Sequence, residues 1–333
     1  MGGLTRSVGL GAILLLAGSC DGNGSGDGAG DRRDENGYIV LGDGSPWRAQ
    51  TIGLDGSPER ATTMAFVPGR DDELLVGILD GHLEHHRIQG DGTTLLGTLR
   101  VPDVYVEMDC GVISIAFAPG DDGRVFVGHC SAVDTSRIVS LPFDPEAPNY
   151  DVRPEDVRTV FEAGSPGVSR PWHNVGSIGF EPDGVLYAFF GDKTRPANAR
   201  DLGNELGALL RMRPLPGGGA EPAADNPYLN DPDASDLIYA WGLRSPWMGF
   251  VDKEGTYWVG DVGNDSAEEV DRIDTGGLDF GWSWHEGPCL DNCGDTVPPI
   301  VAWGFKAADY GIVADLFDVV PRLTEAIKKF KAS

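Results

Sequence analysis

Between residues 60 and 275 the hydrophobic positions fall into short apolar runs separated by turns rich in Pro, Gly and Asp. A first strand ending in an aromatic is predicted at Met64-Ala65-Phe66, Ile115-Ala116-Phe117, Ile178-Gly179-Phe180 and Met248-Gly249-Phe250. Turn residues follow each: Pro68-Gly69, Pro119-Gly120-Asp121, Pro182-Asp183-Gly184, and Asp252 to Gly255. A second strand is predicted at Leu74–Leu79, Val125–Cys130, Leu186–Phe190 and Tyr257–Gly260, and a third around Leu83–Ile88, Arg137–Leu141, Ala208–Met212 and Glu269–Ile273. Short runs of β-branched and aromatic residues bounded by such turns read as strands, so the fold class is all-β. Phe66, Phe117, Phe180 and Phe250 stand 51, 63 and 70 residues apart. That period is long for a compact blade and fits a repeat with functional loops inserted between strands. One strand–turn–strand unit repeated four times predicts a β-propeller, in which each blade buries its faces against its neighbours. A β-sandwich gives no reason for such repetition.

The flanks differ in character. Arg6 precedes an apolar run, Val8 to Ala17, that is short for a membrane span, and Leu16-Ala17-Gly18-Ser19-Cys20 has the form of a lipobox. Residues 1–19 are therefore expected to be a cleaved lipoprotein signal, with residues 20–36, rich in Gly and Asp, forming the lipidated Cys20 and a flexible tether. The expected address is the cell envelope, periplasmic or on the outer face of a membrane, with membrane contact through the lipid alone. A propeller domain follows over 37–304 and a separate tail over 305–333.

Charge narrows the partners. Asp+Glu number 52 against 26 Lys+Arg, a formal charge of −26, which disfavours nucleic acid and anionic headgroups. The carboxylates read as a solvated surface or, more sharply, as calcium-binding loops. Apart from Cys20, four cysteines remain, Cys110, Cys130, Cys289 and Cys293, an even number suited to two disulfides in an oxidising compartment. Three connectivities are open, and local pairing, Cys110 with Cys130 and Cys289 with Cys293, is the expectation. Their spacings match no common zinc finger or ribbon. His82, His85 and His86 are a lesser metal candidate, because in a strand His85 and His86 face opposite sides.

Three stretches are more specific. His173-Asn174-Val175-Gly176-Ser177-Ile178-Gly179-Phe180-Glu181-Pro182-Asp183-Gly184-Val185-Leu186-Tyr187 is followed by Gly191-Asp192, then by Leu206-Gly207-Ala208-Leu209-Leu210-Arg211 and Asp225-Asn226-Pro227-Tyr228. Ala240-Trp241-Gly242-Leu243-Arg244-Ser245-Pro246-Trp247 continues through Gly260-Asp261-Val262-Gly263, Glu268-Glu269-Val270 and Gly281-Trp282. In order and spacing, over roughly residues 60–300, these resemble the glucose/sorbosone dehydrogenase family. The resemblance implies a six-bladed propeller of the soluble quinoprotein dehydrogenase type. It also implies oxidation of an aldose or related alcohol with pyrroloquinoline quinone (PQQ) and calcium, and an external electron acceptor. By that resemblance His173 is the general base, Arg244 and Gly263 lie against the quinone, and Asp261, Gly263 and Glu269 contact calcium. An imidazole suits a base that must take and release a proton near neutral pH, and hard oxygen ligands suit a hard cation. An inter-blade ion pair is the structural alternative for Arg244.

The sequence departs from that pattern at Val175, where glycine is usual, and at Ser245, where asparagine is usual. A side chain at 175 is expected to narrow the approach to the active centre. Beyond Pro298-Pro299 the pattern stops, so the propeller is expected to be truncated. Residues 308–333 resemble instead the C-terminal tail of the electron transfer flavoprotein alpha subunit. There Leu316, Val319, Val320, Leu323, Ile327 and Phe330 recur at helical spacing. No FAD is expected from a tail this short. A non-catalytic extracellular binding propeller and a calcium-dependent hydrolase are the competing readings.

Overall fold

The computed structural model describes residues 60–302 apart from 91, 121–122, 148–151 and 290–292. It also describes residues 54–55 and the backbone of 303–304 and of four short N-terminal strands. Cys20 and the tail 305–333 lie outside the described residues. The apolar run of the expected export signal falls in strand Ile13–Ala17, which pairs antiparallel with Pro46–Ile52.

The rest of the described chain forms four antiparallel sheets in sequence order. The first runs Ala61–Phe66, Glu73–Ile78, His82–Gln89 and Gly92–Arg100. The second runs Val112–Phe117, Arg124–Ala132, Thr135–Pro142 and Arg158–Gly164. The third is Val175–Phe180, Leu186–Phe190, Ala208–Pro214 and Ala220–Pro222, with Ile238–Trp241 also paired to Ala208–Pro214. The fourth is Pro246–Val251, Tyr257–Asp261, Ala267–Ile273 and Val301–Gly304. Each is a meander, and the first strands of successive sheets pack side by side, the arrangement of propeller blades around an axis.

Those first strands leave one edge without a ladder partner, and hydroxyl groups of neighbouring sheets satisfy it. Thr62 Oγ1 donates to the Val112 carbonyl at 2.7 Å, Ile178 N to Ser114 Oγ at 2.9 Å, and Gly249 N to Ser177 Oγ at 3.0 Å. Buried backbone groups need such partners, and each bond ties one sheet to the next. Glycine lets the strands approach closely: a Cβ on Gly176 would run into the Pro246 carbonyl of the fourth sheet. Between the sheets lie apolar layers, such as Ile113, Phe126, Ile138, Val175, Ile178 and Phe190 between the second and third. Val175 is fully buried there, its methyl groups within 3.5 Å of where a Cβ on Gly128 would stand. The expectation that this side chain narrows the active centre is therefore corrected, because it fills the seam between two sheets.

The predicted second and third strands all appear, most of them lengthened by one to three residues, and Leu74–Leu79 shifted by one to Glu73–Ile78. The outer strands, such as Gly92–Arg100 and Arg158–Gly164, had no signal in the apolar pattern, because they alternate or mix exposed and half-buried residues. Cys110 is bonded to Cys130, and Cys289 to Cys293. His85 Nε2 lies 2.9 Å from Glu73 Oε2 and His86 Nε2 3.0 Å from Glu84 Oε2. The first-sheet histidines are thus paired with carboxylates, and among the described residues no three His, Cys, Asp or Glu side chains are arranged to hold a metal.

His129 is fully buried, with Nδ1 2.9 Å from the Cys130 carbonyl, and burial pushes it down from 6.5 to about 4. Unfolded chains take up a proton near the unperturbed value while the folded chain does not, so this group stabilises the fold above about pH 6.5. Its contribution disappears as pH falls to about 4, a loss of roughly 3 kcal/mol. We expect His129→Asn, which keeps a donor for that carbonyl, to flatten the acid limb of a urea-melt stability profile between those two pH values.

Candidate active site

The site is built where the third and fourth sheets end in loops. Gly191 N donates to the Asn174 carbonyl at 2.9 Å and Lys193 N to the His173 carbonyl at 3.2 Å, so the segments 171–174 and 191–194 run against each other. His173, Lys193 and Thr194 are three of the six non-glycine residues with positive φ among the described residues. Such strained residues persist only where surrounding contacts hold them, and they concentrate at functional sites. Glycine at 191 is required by the packing: a Cβ there would lie 2.6 Å from the His173 carbonyl carbon and oxygen.

His173 Nδ1 lies 2.6 Å from Asp192 Oδ1. The Thr194 amide donates to the same oxygen at 2.7 Å, and Trp282 Nε1, which can only donate, reaches Asp192 Oδ2 at 2.8 Å. The fully buried carboxylate is therefore an acceptor on every side, which places the proton on His173 Nδ1 and leaves Nε2 as the basic nitrogen. Trp282 is held by its own backbone, with N donating to the Gly242 carbonyl at 3.0 Å. Arg200 braces the same strap. It donates to both Asp279 oxygens at 2.6 Å and to the Trp282 carbonyl at 3.0 Å, and is stacked 4.3 Å from the Trp241 ring and 3.7 Å from that of Trp284.

Arg244 lines a cleft with Gly242, Asp261, Gly263, Glu269 and Trp282. Its guanidinium donates to the Val262 carbonyl at 2.7 Å and Asn264 Oδ1 at 3.1 Å, with its carbon 5.4 Å from the Trp282 ring centre. These acceptors are neutral, so the inter-blade ion pair considered for Arg244 is not what holds it, and its buried Nε has no hydrogen-bond partner. The guanidinium makes no salt bridge among the described residues, but Asp261 and Glu268 are close enough to feel its charge, and it faces the cleft as a fixed cation.

The expected calcium residues come together less well. Asp261 spends its two oxygens on the amides of Arg244, at 2.8 Å, and Ser245, at 2.6 Å, fixing the turn after the third sheet. Glu269 Oε1 accepts the Gly287 amide, and Gly263 N donates to Glu268 Oε2 at 3.2 Å. Burial pushes both Asp261 and Glu269 up to about 7 and Asp271, whose oxygens have no hydrogen-bond partner, well above its usual value. Asp261, Gly263 and Glu269 line one cleft, and among the described residues no three His, Cys, Asp or Glu side chains are grouped to hold a metal, so we derive no step through calcium.

Sequence reasoning singled out His173 and Arg244 but passed over Asp192, Lys193, Trp282 and Asp271. Gly191-Asp192 and Gly281-Trp282 stood in the motif as landmarks, and only the fold brings residues 90 positions apart onto one carboxylate.

Four meander sheets packed through their first strands define a β-propeller, with a histidine–carboxylate pair and Arg244 at its loop ends. The chain belongs to the glucose/sorbosone dehydrogenase family, whose model matches residues 59–292. It is similar to the PQQ-bound aldose sugar dehydrogenase from Streptomyces coelicolor, with 28% identity and a TM-score of 0.61, over 74% of this chain and 68% of that one. The apo aldose sugar dehydrogenase from Escherichia coli shares the fold at 22% identity and a TM-score of 0.62, over 73% of this chain and 72% of that one. Among curated proteins, HIPL1 of Arabidopsis thaliana is 35% identical over 158 residues, 42% of this chain. That match spans only 22% of the plant protein's length. The Escherichia coli aldose sugar dehydrogenase YliI is 23% identical over 81% of this chain and 67% of its own.

Gly191→Ala is expected to cost about 2 kcal/mol in chemical denaturation, because the new methyl forces His173 off its position. Gly217→Ala, with nothing within 4 Å of the added carbon, serves as the control and should leave stability within about 0.5 kcal/mol.

Proposed function

We propose that this chain oxidises an aldose or related alcohol through bound PQQ, with His173 as the general base. The observation that carries the reading is the His173–Asp192–Trp282 arrangement, an imidazole fixed by a buried acceptor whose indole partner also lines the cleft that Arg244 faces. Family membership and the PQQ-bound relative support it. PQQ, when bound, supplies the two-electron acceptor for a hydride from the alcohol carbon.

The chain's own part is proton handling and placement. His173 Nε2 takes the hydroxyl proton as the C–H bond breaks, and the imidazolium that forms is stabilised by Asp192 across Nδ1. Trp282 and the Thr194 amide keep the carboxylate from rotating, so the ring angle is set before substrate arrives. Arg244 meets the anionic groups of the cofactor, where a fixed cation favours the reduced, more negative form.

Titration of the purified chain with PQQ, followed optically and by dye-linked glucose oxidation, tests this. Saturable binding with turnover is expected. His173→Ala should lower kcat about 10³-fold while binding the quinone normally, and Arg244→Met should weaken quinone binding about tenfold. A folded protein that ignores PQQ sinks the reading and promotes the recognition propeller.

The chain is also read as an exported lipoprotein anchored through Cys20. Two disulfides suit an oxidising compartment. Expressed with its leader, the protein should fractionate with membranes, and Cys20→Ser should release it to the soluble fraction.

A further inference from the structure

Lys193 is a buried cation with no part in the chemistry above. Its side chain is fully buried, and its Nζ donates at 2.6 Å to the Asn174 side-chain oxygen, a neutral acceptor. Burial pushes the ammonium down to about 8, with only the more distant charge of Asp134 opposing. Burying an ammonium against an amide alone is unfavourable for folding, so a residue needed only to fill this space would be better apolar.

What Lys193 holds is informative. Asn174 directly follows His173, and its Nδ2 donates to the Pro171 carbonyl at 2.9 Å and, more weakly, to that of Asp109 at 3.4 Å. The Asn174 amide therefore spans the turn that carries the base and the loop leading into the second sheet. Lys193 closes the arrangement from the other segment, where its own backbone N–H already bonds the His173 carbonyl. His173 and Lys193 both sit at left-handed φ, 54° in each case, a conformation that needs contacts on both sides of the segment to persist.

We propose that Lys193 is a positioning residue: its buried ammonium fixes the Asn174 side chain and through it the left-handed turn that sets the His173 ring on Asp192. The inference rests on His173 being the base, and its test is chosen to stand apart from that reading. In the full chain, Lys193→Met should fold with an unchanged or higher Tm. The ring signals of His173 in a long-range proton–nitrogen spectrum should shift and broaden, and the amides of residues 173–175 should exchange at least tenfold faster. Dye-linked glucose oxidation with PQQ should lose at least tenfold in kcat with KM for glucose within twofold.

Lys193→Gln keeps a donor for Asn174 without the charge and should recover part of both losses. Asn174→Leu should reproduce the Lys193→Met spectrum, and the double variant should be no worse than either alone. Unchanged His173 signals and exchange in Lys193→Met overturn the proposal, as does a fall in kcat that only tracks a lower folded fraction. Should Lys193→Met fail to fold, wild-type His173 signals in Asn174→Leu overturn it equally. If the wild-type chain oxidises no glucose, the parent reading fails, and the spectrum and exchange rates still decide the role of Lys193.

Discussion

The architecture depends on how the first strand of each sheet disposes of its free edge. A strand at the centre of a propeller has ladder partners on one side only, and open edges are both costly when buried and prone to wrong pairing. Here Thr62, Ser114 and Ser177 bridge neighbouring sheets through their hydroxyls, Gly176 lets the backbones of the third and fourth sheets come close, and Gly249 leaves room for the Phe189 ring. Apolar layers supply the bulk of the stabilisation, but hydrophobic burial is non-directional and does not set the register between sheets. The hydroxyl bridges do, and every loop-borne side chain of the site inherits its position from that register.

The site uses this rigidity to hold strain. His173, Lys193 and Thr194 all lie in left-handed conformations immediately after or before strands whose own positions are fixed. Asp192 then collects an imidazole, an amide and an indole from three separate segments. Removing one donor would leave the others in place, so the carboxylate stays oriented. A fixed acceptor of this kind is what the role proposed for His173 requires. Arg200, clamped between Trp241 and Trp284, extends the same logic to the strap carrying Trp282.

The strands that bury apolar residues were legible in the sequence because burial imposes a pattern: Leu186–Phe190, all five buried, was found at its observed bounds. Gly92–Arg100 was not, since a strand whose residues are mostly half-exposed carries no apolar signal. His173 and Arg244 were legible as members of motifs. Trp282 and Lys193 were not legible as partners of Asp192 and Asn174, because a single chain does not announce which distant residues share a hydrogen bond. Val175 illustrates the reverse error. Its place in the motif suggested an obstructed active centre, whereas strand alternation and the small Gly128 opposite send the side chain into the seam between sheets.

The same alternation exposes a constraint at the ends of the row. Ile115 and Ile178, on the two middle first strands, are 5% and 6% exposed, whereas their counterparts Met64 and Met248 are 39% and 58% exposed. Phe66 and Phe250 follow the same trend at 45% and 57%. The first strands of the second and third sheets are packed between two others, which buries these positions, whereas those of the first and fourth sheets pack on one first-strand neighbour each. The loops of the candidate site hang from the third and fourth sheets, and Met248 and Phe250 lie on the strand that carries Pro246 against Gly176. That strand directly follows the turn at Arg244 and Ser245, which Asp261 fixes from the neighbouring strand, so packing on its outer face bears on the geometry of the site.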